Sequence, residues 1–423
     1  MTVVGRSEGE STVNILHVVQ AYYPFQEKGG PVVKVRSLAR CLAQQGHQVT
    51  VLTADLGLRK HARDNLRDQS CKWGRRLELD GVEAIYLATL GSYRALTINL
   101  RVIGFCRSAL RRFDIVHFFG LYDVLGPAVS FFCRKQGIPY VIEPMGMHRP
   151  IDRSLRLKHL WHQSIGRAFW RNAAIIVTTS EMEQQDVVEG GTPPQKVVVR
   201  YNGIDMDLHS TLPRRGIFRT KWNLPREELL ILFLSRLIPR KGADLLIEAF
   251  AQACPDFGRL VIAGPEGESG YRAYLESCAK RVGAENRVLF TGPLYDEDKK
   301  AVLVDSDLFV LPSRYENFAN AAAEAMACGV PVIVGEGCGI QSLVDGRAGL
   351  VIPPQKEAIA QALRRLIDDK VLYAQLQEGC HRVAAQLDWG QLTKQMEVYY
   401  QQALARSNNI NESRVNRRTG VPI

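Results

Sequence analysis

Two cations, two carboxylates and one alanine-rich helix start carry the chemistry available to this sequence. Arg236 ends the apolar run 229–235, and Lys241 and Gly242 open the amphipathic stretch that follows, five residues after the arginine. A strand end and a helix start so spaced can turn both cations onto one phosphate group, where they would neutralise charge building on a leaving diphosphate. Arg240, between Pro239 and Lys241, reads as a third cation that faces solvent, and a merely charged turn fits the same residues. Farther on, residues 312–334 read as a strand end, a loop, a helix stopped by Gly329 and a new strand near Pro331. No bulky side chain stands between Asn320 and Ala325, so a ligand can approach the helix backbone. Free amides around Phe318 to Asn320, with the positive end of the helix dipole behind them, make that start an anion cradle. Glu316 precedes the helix and Glu324 lies just inside it, eight residues apart. Such a cradle, flanked by two carboxylates, suits a ligand with phosphates at its centre and hydroxyls at both ends. A nucleotide sugar is a ligand of that kind.

Composition narrows the class of protein that carries these residues. At 423 residues the chain predicts two domains of about 200 residues each. The net charge is +10, and residues 1–200 hold 27 Lys+Arg against 17 Asp+Glu, so the whole surplus belongs to the first half. An anionic partner should meet that half. Nucleic acid is not the expected partner, because no aromatic-basic single-strand module or recognition-helix signature accompanies the charge. Nine cysteines without a C-x-x-C pair or a histidine cluster read as buried thiols in a reducing compartment rather than a disulfide or zinc framework. Glu8 and Glu10 stand where a signal peptide needs apolar residues, and no apolar run reaches the ~18 residues of a membrane span, so a cytoplasmic protein is expected. Two Asp-x-Asp triplets, Asp205 with Asp207 and Asp305 with Asp307, have the residue types for a divalent metal. The first belongs to a turn and the second runs into an apolar strand, so no metal site is predicted.

The elements that must position these groups alternate along the chain. After a leader at 1–11, a strand at 13–19, a loop at 22–31, a helix at about 32–45 and a strand at 48–53 form a βαβ unit, which commits the sheet to parallel pairing. Gly29 and Gly30 sit where loop becomes helix and would let a phosphate or sugar approach the backbone, although such a pair also simply makes a turn. Residues 55–80 read as a polar surface excursion. Further strands follow at 82–87, 114–119, 140–143 and 174–178. Two basic amphipathic stretches lie between them. The first, 93–112, sets Leu96, Leu100, Ile103 and Leu110 beside five arginines; the second, 150–171, interleaves Arg153, Arg156, Lys158, Arg167 and Arg171 with Trp161, Phe169 and Trp170. Either could lie on an anionic membrane surface or pack its stripe on the sheet. The turn at 201–205 marks a crossover, after which strand and helix alternate again. The expected fold class is α/β, with two doubly wound Rossmann-like domains facing each other across a cleft. Residues 1–200 form the first domain and 201–385 the second. A final helix at 386–405 is expected to pack back toward the first domain, followed by a mobile tail at 406–423.

Several motifs now stand in order: Arg236 with Lys241, Ala263-Gly-Pro265, Phe290-Thr-Gly292, the strand 307–313, Glu316, Glu324 and Asn202-Gly-Ile-Asp205. Together they resemble the family 4 glycosyltransferases of the GT-B fold, nearly throughout the second half. In the first half only Gly29-Gly30 and Asp114-Ile-Val-His117 match. The resemblance implies a retaining transfer of a sugar from a nucleotide diphosphate, with the nucleotide sugar as co-substrate and no required metal or other cofactor. By that resemblance Arg236 and Lys241 bind the diphosphate and Glu324 the ribose hydroxyls. Glu316, with backbone groups of Asn317, Phe318, Ala319 and Asn320, holds the donor sugar and β-phosphate. Gly264 lines the donor site, Gly29 and Gly30 let the first domain's loop close on the phosphate, and His117 helps position the sugar. Carboxylates accept paired hydroxyls well and arginine forks onto phosphate, in agreement with these roles. Many members carry a histidine after the next strand, where this chain instead reads Glu143-Pro-Met-Gly-Met-His148; Glu143 could meet an acceptor hydroxyl or be a paired structural carboxylate. The expected acceptor is a membrane-borne, polyprenyl-diphosphate-linked saccharide of surface polysaccharide synthesis, with the enzyme peripheral on the membrane. A soluble acceptor, or a non-catalytic nucleotide-sugar binder, are the competing readings.

Overall fold

Short uninterrupted apolar runs, buried on both faces, form the middle strands of two sheets, as parallel pairing under helices on both sides requires. The computed structural model describes residues 12–25, 30–56, 69–93, 96–150, 155–205, 212–254 and 256–419. Residues up to Arg200 together with those from Leu392 form one unit, and Tyr201–Gln391 form another.

In chain order the first unit contains β1 (Asn14–Val19), α1 (Gly30–Gln44), β2 (Gln48–Ala54), β3 (Gln69–Cys71), β4 (Gly74–Leu79), β5 (Val82–Leu87), β6 (Gly91–Tyr93), β7 (Leu96–Ile98) and α2 (Arg101–Ser108). It continues with β8 (Ile115–Phe119), α3 (Leu125–Gln136), β9 (Tyr140–Glu143), α4 (Leu155–Gln163), α5 (Ile165–Arg171), β10 (Ile175–Thr178), α6 (Glu181–Glu189) and β11 (Val197–Val199). Among the described residues nine strands order as β11-β10-β9-β8-β1-β2-β5-β4-β3, parallel except for β4 and β3 at one edge.

Two expectations are corrected here. The excursion at 55–80 contains β3 and β4, which extend the sheet antiparallel; its residues 57–68 lie outside the described set. The first basic stretch is broken in two: β6 and β7 pair as a hairpin, and a helix starts only at Arg101, so its apolar residues do not form one continuous stripe. Val102, Phe105 and Cys106 therefore turn inward, whereas Leu100 and Ile103 stay exposed.

The second unit contains α7 (Ile217–Lys221), β12 (Leu230–Leu234), α8 (Ala243–Ala253), β13 (Arg259–Ala263), α9 (Tyr271–Arg281), β14 (Val288–Gly292), α10 (Asp296–Asp305), β15 (Leu308–Leu311) and α11 (Asn320–Ala327). Then come β16 (Val332–Gly335), α12 (Gln341–Val344), β17 (Gly349–Ile352), α13 (Lys356–Asp368) and α14 (Lys370–Gln386). Six parallel strands among its described residues order as β14-β13-β12-β15-β16-β17. From β12 the chain winds outward one way, and from β15 the other. The reversal lies between these two adjacent strands.

The last helix, α15 (Trp389–Thr419), continues through much of the stretch expected as a tail. It is pinned to the first unit by polar contacts. The Tyr399 hydroxyl donates to the Val199 carbonyl at 3.0 Å, Arg406 donates to the Ala174 carbonyl at 2.9 Å, and Glu397 meets His47 at 2.6 Å. Deepest of these is Tyr400, whose hydroxyl lies 2.8 Å from His117 Nδ1 and 3.2 Å from His17 Nε2. The two histidines face each other across neighbouring strands, in register.

Burial depresses both imidazoles, with His17 near 3 and His117 well below its ordinary value, so both are neutral in the folded chain. Unfolded histidine titrates near 6.5, so the unfolded state takes up protons first as pH falls. The stability from each neutral histidine is present above about pH 6.5 and drains away toward acid, by about 2 kcal/mol for His17 between pH 7 and pH 5. Thermal unfolding at the two pH values should show a smaller drop for His17→Asn than for the wild type. Equal drops would contradict this account of the buried pair.

Candidate active site

Ligands of doubly wound sheets bind beyond the strand C-termini where the winding reverses, because the loops leaving the two strands diverge there. In the second unit that point lies past β12 and β15. Arg236 and Lys241 follow β12, and the segment from Pro312 to Glu316 follows β15.

A short turn, Pro239–Lys241, carries the lysine and ends at Gly242 with φ of +72°. A side chain at Gly242 would begin 2.6 Å from the Pro312 carbonyl oxygen, so only glycine lets the two loops lie this close. The Arg314 amide donates to the Arg240 carbonyl at 2.9 Å and ties them together. Lys241 is buried, and its ammonium forms an ion pair with the Glu316 carboxylate. Glu316 is itself fixed through its backbone: its amide donates to Gly337 O at 2.8 Å, and its carbonyl accepts from the Gly339 amide at 2.9 Å. Phe318 is buried with its ring 5.9 Å from that of Tyr201. Ala319, the residue ahead of α11, holds a left-handed conformation at φ 77°, uncommon for a residue with a side chain and frequent where a loop must aim groups at a ligand. Asn320, the first residue of α11, accepts a hydrogen bond from Asn202 at 2.8 Å. The turn at the start of the second unit therefore braces the helix start.

Glu324, one turn into α11, is engaged by Lys299 of α10 at 2.6 Å. Lys299 was not among the residues singled out from sequence. No motif marks it; the contact arises from packing of α10 beside α11. Arg236 is exposed at the strand end. Gly264 has φ of +143°, and a side chain there would begin 1.8 Å from the Ser235 carbonyl oxygen, so this glycine permits close approach of the chain beside Arg236. Asn317 lies in the loop between Glu316 and Phe318. Gly30 begins α1 in the first unit, and Gly29 lies outside the described residues.

His117 requires a correction. Rather than standing at a strand end open to a donor sugar, it has no exposure, touches Tyr400, and lies 3.6 Å from Glu143. Glu143 is equally buried, paired with Lys34 and, at 2.6 Å, with Arg200. The three surrounding groups settle Glu143 as a structural carboxylate: a buried carboxylate needs such partners to stay charged. Burial with Arg200 nearby holds the Lys34 ammonium well below its ordinary pKa. The Asp-x-Asp pair near β15 is structural too. Asp305 accepts from the Arg219 amide at 2.9 Å, while Asp307 accepts from Leu230 N at 2.8 Å and pairs with Arg215 and Arg219. Asp207 lies outside the described residues.

Two family patterns match the chain. Residues 28–208 match Glycosyltransferase Family 4, and residues 215–382 match Glycosyl transferases group 1. The chain belongs to the family 4 glycosyltransferases. An uncharacterized glycosyltransferase of Methanocaldococcus jannaschii is 24% identical over 82% of this chain and 87% of its own. The D-inositol 3-phosphate glycosyltransferase of Jonesia denitrificans is 26% identical over 90% of this chain and 93% of its own. Several relatives of that name match over only about half of each chain, as with the Streptomyces bingchenggensis protein, 29% identical over 54% of this chain and 53% of its own. Among solved structures, Anabaena HepE in complex with UDP aligns with a TM-score of 0.73 at 20% identity, covering 91% of this chain and 99% of that one. WaaG, a glycosyltransferase involved in lipopolysaccharide biosynthesis, aligns at 0.63 and 20% identity over 90% and 98%. At these identities the structures establish the shared GT-B fold of this glycosyltransferase.

The close approach at Gly242 is open to test. Gly242→Ala, with its left-handed backbone and its contact on Pro312, should lower unfolding stability by about 1–3 kcal/mol in chemical denaturation. A change within ~0.5 kcal/mol, the range of a neutral surface substitution, would show that the loops are not held this tightly.

Proposed function

We propose that this glycosyltransferase moves a sugar, with retention of anomeric configuration, from a nucleoside-diphosphate donor to a hydroxyl of a lipid-linked saccharide. The observation that carries the donor half is the pairing of Lys241 with Glu316 at the winding reversal of the second unit. Arg236 and Lys241 take the diphosphate. Glu316 and the amides of Asn317 to Asn320 take the donor sugar and β-phosphate, and Glu324, paired with Lys299, takes the ribose hydroxyls. As the sugar–phosphate bond breaks, charge grows on the phosphate oxygens, and the two cations stabilise it more than they stabilise the bound donor. The leaving phosphate oxygen takes the acceptor's proton on the same face, so no side chain need act as base. In this reading no metal is required, which agrees with the engagement of Asp305 and Asp307 by Arg215, Arg219 and backbone amides. His117 stays out of the transfer set because of its burial.

The lipid-linked acceptor is supported by the basic surplus of the first half and by the likeness to WaaG. The inositol phosphate relatives favour a second reading, a soluble phosphorylated acceptor.

Incubation with a panel of nucleotide sugars should reveal slow hydrolysis of one donor and faster turnover when the acceptor is added. Glu316→Ala and Lys241→Ala should each lower turnover at least ~100-fold, the scale of losing one transition-state contact. Near-normal rates in both variants would refute the site. A chelator should leave the rate unchanged, and loss that manganese or magnesium restores would overturn the metal-free mechanism.

A further inference from the structure

The face formed by α3, α4 and α5 in the first unit has no part in the transfer chemistry and does not look like an ordinary solvated surface. α5 packs against both α3 and α4, so the three share one continuous surface. α4 buries none of its side chains. Leu157 and Leu160 are 67% and 60% exposed, and Ile165 at the start of α5 is 65% exposed. Trp161 folds over Gly166 at the junction, where a side chain would begin 2.2 Å from its ring, and this bend keeps the two short helices together. Beside Ile165, the exposed Val124 and Phe131 rim an apolar cavity of about 340 Å³, with Arg134 as its charged lining residue. The three helices carry Arg134, Lys135, Arg156, Lys158, Arg167 and Arg171, and no aspartate or glutamate.

A helix packed on a sheet turns its leucines inward, whereas here they face water beside charge of one sign. Exposed apolar patches with a polar rim mark docking surfaces. Cations spread over three helices fit an extended anionic surface better than a point ligand. Leucines and a phenylalanine among them fit a surface with hydrocarbon just below its charge.

We propose that the α3–α4–α5 face docks on an anionic lipid bilayer, with Leu157, Leu160 and Ile165 entering the headgroup boundary and the exposed arginines meeting lipid phosphates. That the bilayer also carries the acceptor rests on the lipid-linked reading above; the docking itself stands on the surface described here.

Sedimentation of the full chain with vesicles tests it, using mixed phosphatidylglycerol–phosphatidylcholine vesicles and phosphatidylcholine alone, at low and high salt. The wild type should bind the anionic vesicles at low salt and release at high salt. Leu157→Glu combined with Leu160→Glu, and separately Arg156→Glu combined with Arg167→Glu, should each weaken binding at least ~10-fold. Hydrolysis of the soluble donor without lipid should be unchanged in both variants, which also certifies their folding. Equal recovery of the wild type with anionic and neutral vesicles would overturn the proposal, as would double variants that sediment like the wild type. It would also be overturned if light scattering found a dimer that the leucine variant dissociates while vesicle binding persists, since the face would then join two copies of this chain. Absent donor hydrolysis with intact, leucine-dependent vesicle binding would support docking and count against the transfer reading alone.

Discussion

A lysine ammonium with almost no water around it is stable only beside an opposite charge, and Lys241 has one such partner in Glu316. That requirement reaches well beyond the pair. It holds the turn after β12 against the loop after β15, and the glycine at 242 is what lets the two backbones come close enough. The same loop continues into α11, whose start is braced by Asn202 and whose first turn presents Glu324 to Lys299. Two acids on one loop and helix of the second unit thus stand paired with two lysines from neighbouring elements. A diphosphate with a sugar at each end offers these groups an alternative set of partners, phosphates for the cations and hydroxyls for the carboxylates.

The first unit solves a different problem. Its interior holds His17, His117 and Glu143 from the sheet, Lys34 from α1 and Arg200 just after β11, an arrangement that costs stability unless every charge finds a partner. Glu143 lies between the lysine and the arginine, and Tyr400 closes the pair of histidines from a helix that begins at Trp389. The final helix is therefore part of the first unit's core. Its polar contacts with Val199, Ala174 and His47 repeat the same anchoring along the helix.

Much of this was legible in the residues themselves. Parallel strands buried on both faces announce themselves as apolar runs, and Arg236, Lys241, Glu316 and Glu324 stand at spacings that the strand-to-helix transitions make meaningful. What escaped has physical causes. Lys299 meets Glu324 only through packing between two helices. One of the groups that cover His117 is Tyr400, 283 residues away, and no local pattern encodes that contact. The arginine-rich stretch at 93–112 conceals a hairpin, so its apolar residues divide between faces: Leu110 packs inward while Leu100 and Ile103 face out. In 150–171 the charges and aromatics were plain, yet only the folded helices separate Phe169, which packs inward, from Leu157 and Leu160, which do not.

The central claim is that Lys241, held by Glu316, is a phosphate ligand waiting for its donor. Calorimetric titration of whichever nucleoside diphosphate among UDP, GDP and ADP binds the wild type best, repeated on Lys241→Met, tests it most directly. Methionine keeps the length of the buried stem and removes the charge. The account predicts that affinity falls at least ~10-fold, the loss of one charge-assisted phosphate contact, while the fold is retained. Equal affinity for the wild type and the variant would contradict it.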